Sequence, residues 1–287
     1  HSGGPITDLS QRSMVPCIDS IRILMIEPEG SDSRSIGSAL EGGVSLGQPP
    51  PLSVLAQKME GGKWRTFEEE ACQDLTEALD YVSRFEITVP CETDVNFHPG
   101  GFTGILGYDL CRWSVPITLS NTPSPGTVIG VLWRADAWII HDRCELEIGV
   151  LALEGHPWLD IELDNLRITE VREVTASKSV PDSESDLEHA KKVSRIKDGI
   201  RKGNLYQVNY GRKWKGLMAG QPWESFLLLS RSNPAPFSSW LYLADHGWAI
   251  ASASPERLMH LDSGVVSTRP IKGTRARGRD EKEKEAK

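Results

Sequence analysis

From Ser185 onward, helix, strands, helix and then hairpins follow one another in this 287-residue chain, an order that predicts an α+β fold. Three observations carry the prediction. Apolar, β-branched runs cluster between residues 128 and 153, a capped amphipathic helix opens at Ser185, and two hairpin patterns follow in succession from Trp240 to Thr268. At roughly 150 residues per domain the length allows about two domains, each with enough chain to bury an apolar interior. No fixed-period repeat is visible, so neither a solenoid nor a propeller is supported.

The run Ile21 to Ile26, ending before Pro28, suits a buried strand. Glu41 to Pro51 is rich in Gly, Pro and Ser and reads as a loop. Leu52 to Met59 shows apolar residues at helical spacing, as does Phe67 to Phe85, where Leu75, Leu79, Val82 and Phe85 share one face, and both are read as helices. In the glycine-dense stretch from Phe97 to Arg112, Gly100, Gly101, Gly104 and Gly107 point to close backbone packing. A phosphate loop is the competing reading, but neither G-x-G-x-x-G nor G-x-x-x-x-G-K-[ST] is present. Val128 to Trp133, Ala137 to His141 and Glu145 to Leu153 read as an antiparallel meander.

From about Glu170 to Ser185 the composition turns to Thr, Ser, Glu, Lys and Pro without periodicity. This is read as the linker between a domain over 1–175 and another over 183–287. Ser185-Asp186-Leu187-Glu188 is a capping box, and Ala190, Val193, Ile196 and Ile200 form the expected buried stripe of a helix that Gly203 stops. Leu205 to Tyr210 reads as a strand. Pro222 opens a helix through Ser230, and Asn233-Pro234-Ala235-Pro236 forces a turn. Trp240 to Leu243 and Trp248 to Ala253 flank Asp245-His246-Gly247 as a hairpin. Leu258 to Leu261 and Val265 to Thr268 form a second across Asp262-Ser263-Gly264.

Composition narrows the function classes. With 32 Lys plus Arg against 40 Asp plus Glu the net charge is −8, the opposite of a nucleic-acid footprint. No apolar run approaches the roughly 20 residues of a membrane helix. The N-terminus carries no signal-peptide pattern and reads as a cut end, and a cytoplasmic location is expected. Cys17, Cys72, Cys91, Cys111 and Cys144 have no C-x-x-C pair and are read as free buried thiols, with no metal ligand set in the chain.

The chemistry concentrates in the second hairpin. Glu256 and Lys272 stand 16 residues apart with the turn near the middle, so the hairpin brings a carboxylate and an amine to its open end. A lysine partly desolvated by a Pro-Ile-x-Gly turn becomes a nucleophilic amine, and the carboxylate can then move the proton. A cross-hairpin ion pair is the other reading of the same spacing.

Four segments in register carry a resemblance. Gly203-Asn204-Leu205-Tyr206-Gln207-Val208-Asn209, Asn233-Pro234-Ala235-Pro236-Phe237, Ser254-Pro255-Glu256-Arg257 and Thr268-Arg269-Pro270-Ile271-Lys272-Gly273-Thr274 resemble the motifs of the chorismate-utilising enzymes. The Pro-Ile-Lys-Gly-Thr form is similar to the aminodeoxychorismate synthase component I branch, whereas anthranilate synthase component I usually carries Ala where Lys272 stands. In the first half, Gly104 to Leu110 resembles the family's Gly-Tyr-Asp segment, and His1-Ser2-Gly3 the end of its Leu-Leu-x-Ser motif.

The resemblance implies two stacked antiparallel sheets with helices outside, and a chain truncated at both ends. Its closing charge run, Asp280 to Lys287, would begin the family's next helix. It implies amination of chorismate at C4, with ammonia from a glutamine amidotransferase subunit, for para-aminobenzoate and folate synthesis. Lys272 would be the nucleophile at ring C2 and Glu256 the general acid and base, with Gly273 and Thr274 seating the substrate. Ser2, Pro236, Phe237 and Ser238 match a tryptophan pocket, for which domain-interface packing is the alternative. Mg²⁺ would be the cofactor, its glutamate ligands lying beyond Lys287. The rival implications are anthranilate synthase component I and a non-catalytic remnant that binds tryptophan or a partner.

Overall fold

In the computed structural model the described residues are 11–29, 49–88, 99–115, 117, 119, 121–163, 175–176, 180–181, 184–262 and 264–271. Strands β1 (Arg12–Cys17) and β2 (Ile21–Ile26) enter different sheets. β2 is the centre of a five-stranded antiparallel sheet, which explains why its sequence is apolar at five of six positions: Ile23, Leu24 and Met25 are all buried. The one charge within it, Arg22, is also buried, with Nε donating to Gln57 Oε1 at 2.6 Å and its guanidinium 4.6 Å from the Trp64 ring.

The segment read as a helix over Leu52 to Met59 is instead β3 (Leu52–Glu60), paired with β2. Leu52, Val54 and Ala56 are buried while Ser53 and Leu55 are only half covered, a period of two that a short apolar window does not separate from 3.6. The helix read over Phe67 to Phe85 divides as well. Its first part belongs to β4 (Lys63–Cys72), on the outer side of β3, and only Leu75–Ser83 is helical, forming α1. Asp74 makes the break: its Oδ1 accepts from the Glu77 amide at 2.9 Å. Ala78, Tyr81 and Val82 bury and Leu75 and Phe85 pack against the core, so of the expected stripe only Leu79, 40% exposed, faces away.

β5 (Phe102–Leu106) and β6 (Val128–Arg134) complete the sheet in the order β4-β3-β2-β6-β5. Close packing is the reason for the glycines, as expected. A Cβ at Gly104 would collide with the Val131 carbonyl oxygen and one at Gly107 with that of Ile129, both on β6. The short 3₁₀ helix Tyr108–Trp113 follows and contributes Leu110 and Trp113 to the core with Ile23, Met25, Val54 and Tyr81.

The expected meander of three strands does not form. β7 (Ala137–Asp142) and β8 (Glu147–Ala152) pair with each other, but β7 also pairs with β1, in a separate three-stranded sheet. The chain changes sheets at Ala135, which is fully buried; its amide donates to Gly101 O at 2.8 Å, and the Asp136 amide to Cys17 O at 3.3 Å. Arg134 Nε donates to Asp136 Oδ1 at 2.7 Å across this step.

By packing the chain divides into two units, His1–Leu166 with Glu256–Lys287, and Arg167–Pro255. In the second, the stretch read as a linker carries β9 (Thr175–Ala176) and β10 (Val180–Pro181). The Ser185 capping box is present and opens α2 (Asp186–Arg201), and Gly203 follows it at φ 75°. The expected buried stripe is not buried: Val193 and Ile196 are half covered, whereas Ala190 and Ile200 are exposed. Leu205 to Tyr210 forms no strand. β11 (Trp214–Lys215) pairs with β10, and β12 (Met218–Ala219) with β9. α3 (Pro222–Ser232) begins on Pro222 as expected and packs on the hairpin of β13 (Phe237–Leu243) and β14 (Trp248–Ser254), where Gly247 takes φ 68°. Trp223, Phe226, Trp240 and Tyr242 form the aromatic seam there, with centroid spacings of 5.3–6.3 Å. β15 (Arg257–Asp262) and β16 (Val265–Arg269) form the last hairpin, with Gly264 at φ 79°. Among the described residues no helix is long and apolar enough to cross a membrane.

Candidate active site

Pro255 has no amide to offer a ladder, and β14 ends at Ser254, so Glu256 falls at a bend just before β15. Arg257 stands opposite Arg269, and below that pair the hairpin is tied by Arg257 donating to Ser267 Oγ at 3.2 Å. This register places Glu256 and Pro270 at the same open end. Glu256 is exposed, as is Ile271 at 53%. Lys272, Gly273 and Thr274 lie outside the described residues, as does Ser2.

Pro236 and Phe237 are half-buried at the start of β13, and Ser238 is buried with its hydroxyl donating to Ala235 O at 2.9 Å. In the first motif, Leu205 packs against Gly199, where a Cβ would meet Leu205 Cδ1 at 2.8 Å, while Tyr206 is 95% exposed.

Two charged constellations have no counterpart in the sequence reading. Glu184, one residue before the capping box, gathers Lys192 Nζ at 2.8 Å, Tyr210 Oη at 2.6 Å and His189 Nδ1 at 2.5 Å. The hydrogen bond from Lys192, then that from Tyr210, hold its carboxyl at about 2. His189 stacks on Tyr210 at 5.2 Å, and Arg212 reaches both Glu184 O and Asp186 Oδ1, so α2 is tied to the segment after Gly203. The i+5 and i+8 spacing of His189 and Lys192 from Glu184 was the available signal. The second constellation is the buried pair of Glu27 and Arg112, in which both carboxylate oxygens are engaged and the guanidinium lies 4.4 Å from the Trp113 ring. Nothing in a separation of 85 residues announces it.

The thiols are partly as expected: Cys17 and Cys72 are buried, Cys111 is intermediate, but Cys144 is exposed, and Cys91 lies outside the described residues. Among the described residues one cluster has metal-ligand character, Cys17 with Asp19 and His156. Its thiol and imidazole do not suit Mg²⁺, a hard cation that takes oxygen ligands.

Several antiparallel sheets with few helices define an α+β protein, and the fold is that of anthranilate synthase component I. The crystal structure of that protein from Streptococcus pneumoniae TIGR4 superposes with a TM-score of 0.57 at 15% identity, covering 93% of this chain and 55% of that one. The particular family follows from sequence: residues 71–287 match the chorismate binding enzyme family, and the chain belongs to it. It is 30% identical over 227 residues to aminodeoxychorismate synthase component 1 of Escherichia coli (strain K12), covering 78% of this chain and 48% of that protein. It is also 30% identical over 228 residues to anthranilate synthase component 1 3 of Haloarcula marismortui, covering 73% and 43%. The chain spans about half the length of the curated relatives it matches.

Proposed function

We propose that this chain is the chorismate-binding part of an aminodeoxychorismate synthase, working with a glutamine amidotransferase subunit that supplies ammonia. The observation that carries the reading is the β15–β16 register, in which Arg257 faces Arg269 and Pro270-Ile271 leave the hairpin at the end that holds Glu256, with Lys272 the next residue in sequence. The Lys272 amine attacks ring C2, both conjugated ring double bonds shift, and the C4–O bond breaks as Glu256 protonates the departing hydroxyl to water. Ammonia then attacks C4, the double bonds return, and the lysine leaves C2. The product, 4-amino-4-deoxychorismate, keeps its pyruvyl ether. Gly273 and Thr274 are assigned to seating chorismate, and Ser2 with Pro236, Phe237 and Ser238 to a tryptophan site. The domains assigned are 1–175 and 183–287.

Anthranilate synthase is the second reading, favoured by the Haloarcula relative. The two separate by product in a full-length polypeptide given chorismate, ammonium and Mg²⁺: aminodeoxychorismate supports the first, anthranilate with released pyruvate the second, and no turnover the non-catalytic reading. Lys272→Ala should abolish a ring adduct visible by mass spectrometry, and Glu256→Ala should slow turnover about 10²-fold. Lys272→Arg keeps the charge but not an amine that can lose its proton. Near-normal turnover in that variant would sink the covalent route and leave Lys272 as a charge that anchors substrate.

A further inference from the structure

We propose that Cys17, Asp19 and His156 form a binding site for a thiophilic divalent cation of the zinc class, in the first unit and outside the chorismate chemistry. The three-stranded sheet builds it. Cys17, Ala137 and Ala152 are in register at one end of β1, β7 and β8, so the chain leaving β1 and the chain leaving β8 emerge at the same end of the sheet, on either side of β7. Asp19 sits in the short turn from β1 to β2. After β8, Leu153 donates to Asp136 O at 3.0 Å and His156 to Leu153 O at 3.0 Å, which folds His156 back over the same edge.

The potential ligand atoms of the three side chains lie within 4.8 Å of one another, and Cys17 Sγ is 3.1 Å from Asp19 Oδ1. Around a tetrahedral cation with bonds of roughly 2.0–2.3 Å, neighbouring donors sit about 3.3–3.8 Å apart, so the cluster needs to close by about 1.5 Å at most. A thiolate, an imidazole and one carboxylate are the donor set of a borderline-soft metal, with a fourth position left for water. Cys17 is 4% exposed, His156 half-buried and Asp19 exposed, which gives the cation an entrance from the Asp19 side.

Charge favours the same occupant. Asp136, itself buried and paired with Arg134, lies close enough to act electrostatically on both Cys17 and His156. The thiol is in its protonated form here, donating to Asp19 Oδ1. The cation therefore takes the place of a proton: the Sγ–H bond breaks, the Sγ–metal bond forms and the proton passes to solvent. Neutral imidazole has one lone pair in its plane, and His156 Nδ1 now spends it on the Trp158 amide at 3.1 Å, so metal ligation trades that hydrogen bond away.

The test is a Co²⁺ titration of the full chain in a background where Cys91, Cys111 and Cys144 are serine. One equivalent should produce the near-ultraviolet thiolate-to-cobalt charge-transfer band, and Zn²⁺ should displace it. Cys17→Ser should abolish the band, and Asp19→Asn and His156→Ala should each weaken Co²⁺ binding at least about tenfold. Asp19→Asn is on the surface and keeps the fold readable by circular dichroism even if Cys17→Ser does not. No band at millimolar Co²⁺, a band that survives Cys17→Ser, or unchanged affinity in Asp19→Asn would overturn the proposal.

Discussion

Glu184 shows what a single residue can organise. It precedes a capping box that was legible in four letters, yet its own role depends on Tyr210 and Arg212, which reach it from beyond the end of α2. Its folded carboxyl sits below the ordinary value of 4.5, at about 2, so its contribution is complete above 4.5 and is lost as pH falls toward 2. The stability advantage of the natural protein over Glu184→Gln, read from urea unfolding, should therefore hold steady at neutral pH, shrink below 4.5 and vanish near 2. An advantage unchanged across that range would mean that Glu184 acts by shape alone. Glu256 was legible for a different reason: proline before it and a turn at Gly264 are local marks, and together they locate the open end of a hairpin.

At the scale of elements, caps and turns were readable and partners were not. Ser185, Pro222, Gly247 and Gly264 each act through the conformation of their own few residues, and the structure has a helix or turn boundary at each. β3 was misread because Leu52, Val54, Leu55 and Met59 fit a helical stripe as well as an alternating one, and only pairing with β2 and β4 decides between them. Gly104 tests the pairing of β5 with β6. Gly104→Ala puts a methyl group into the Val131 carbonyl, backbone against backbone, so it should destabilise by about 1–3 kcal/mol, measured as a lower urea midpoint with an unchanged slope. An unshifted midpoint would show that the two strands can separate without cost.

Across the whole molecule, burial is uneven. The first unit holds the sheet core around Ile23, Met25, Val54 and Tyr81, whereas α2 has no buried residue. Hydrogen exchange on this chain should find the β2 amides slowest and those of α2 faster by orders of magnitude, and equal protection in both would refute that order. By itself the sequence determined the α+β class, the buried β2, the close-packed glycines, the caps and the two closing hairpins, because each follows from neighbours within about a dozen residues. Only the tertiary structure decided that β6 and β7 part into different sheets at Ala135, that Glu27 meets Arg112, and that Cys17, Asp19 and His156 converge. Those outcomes depend on which distant strand supplies the backbone hydrogen bonds, and a strand carries the same donors and acceptors whatever its partner.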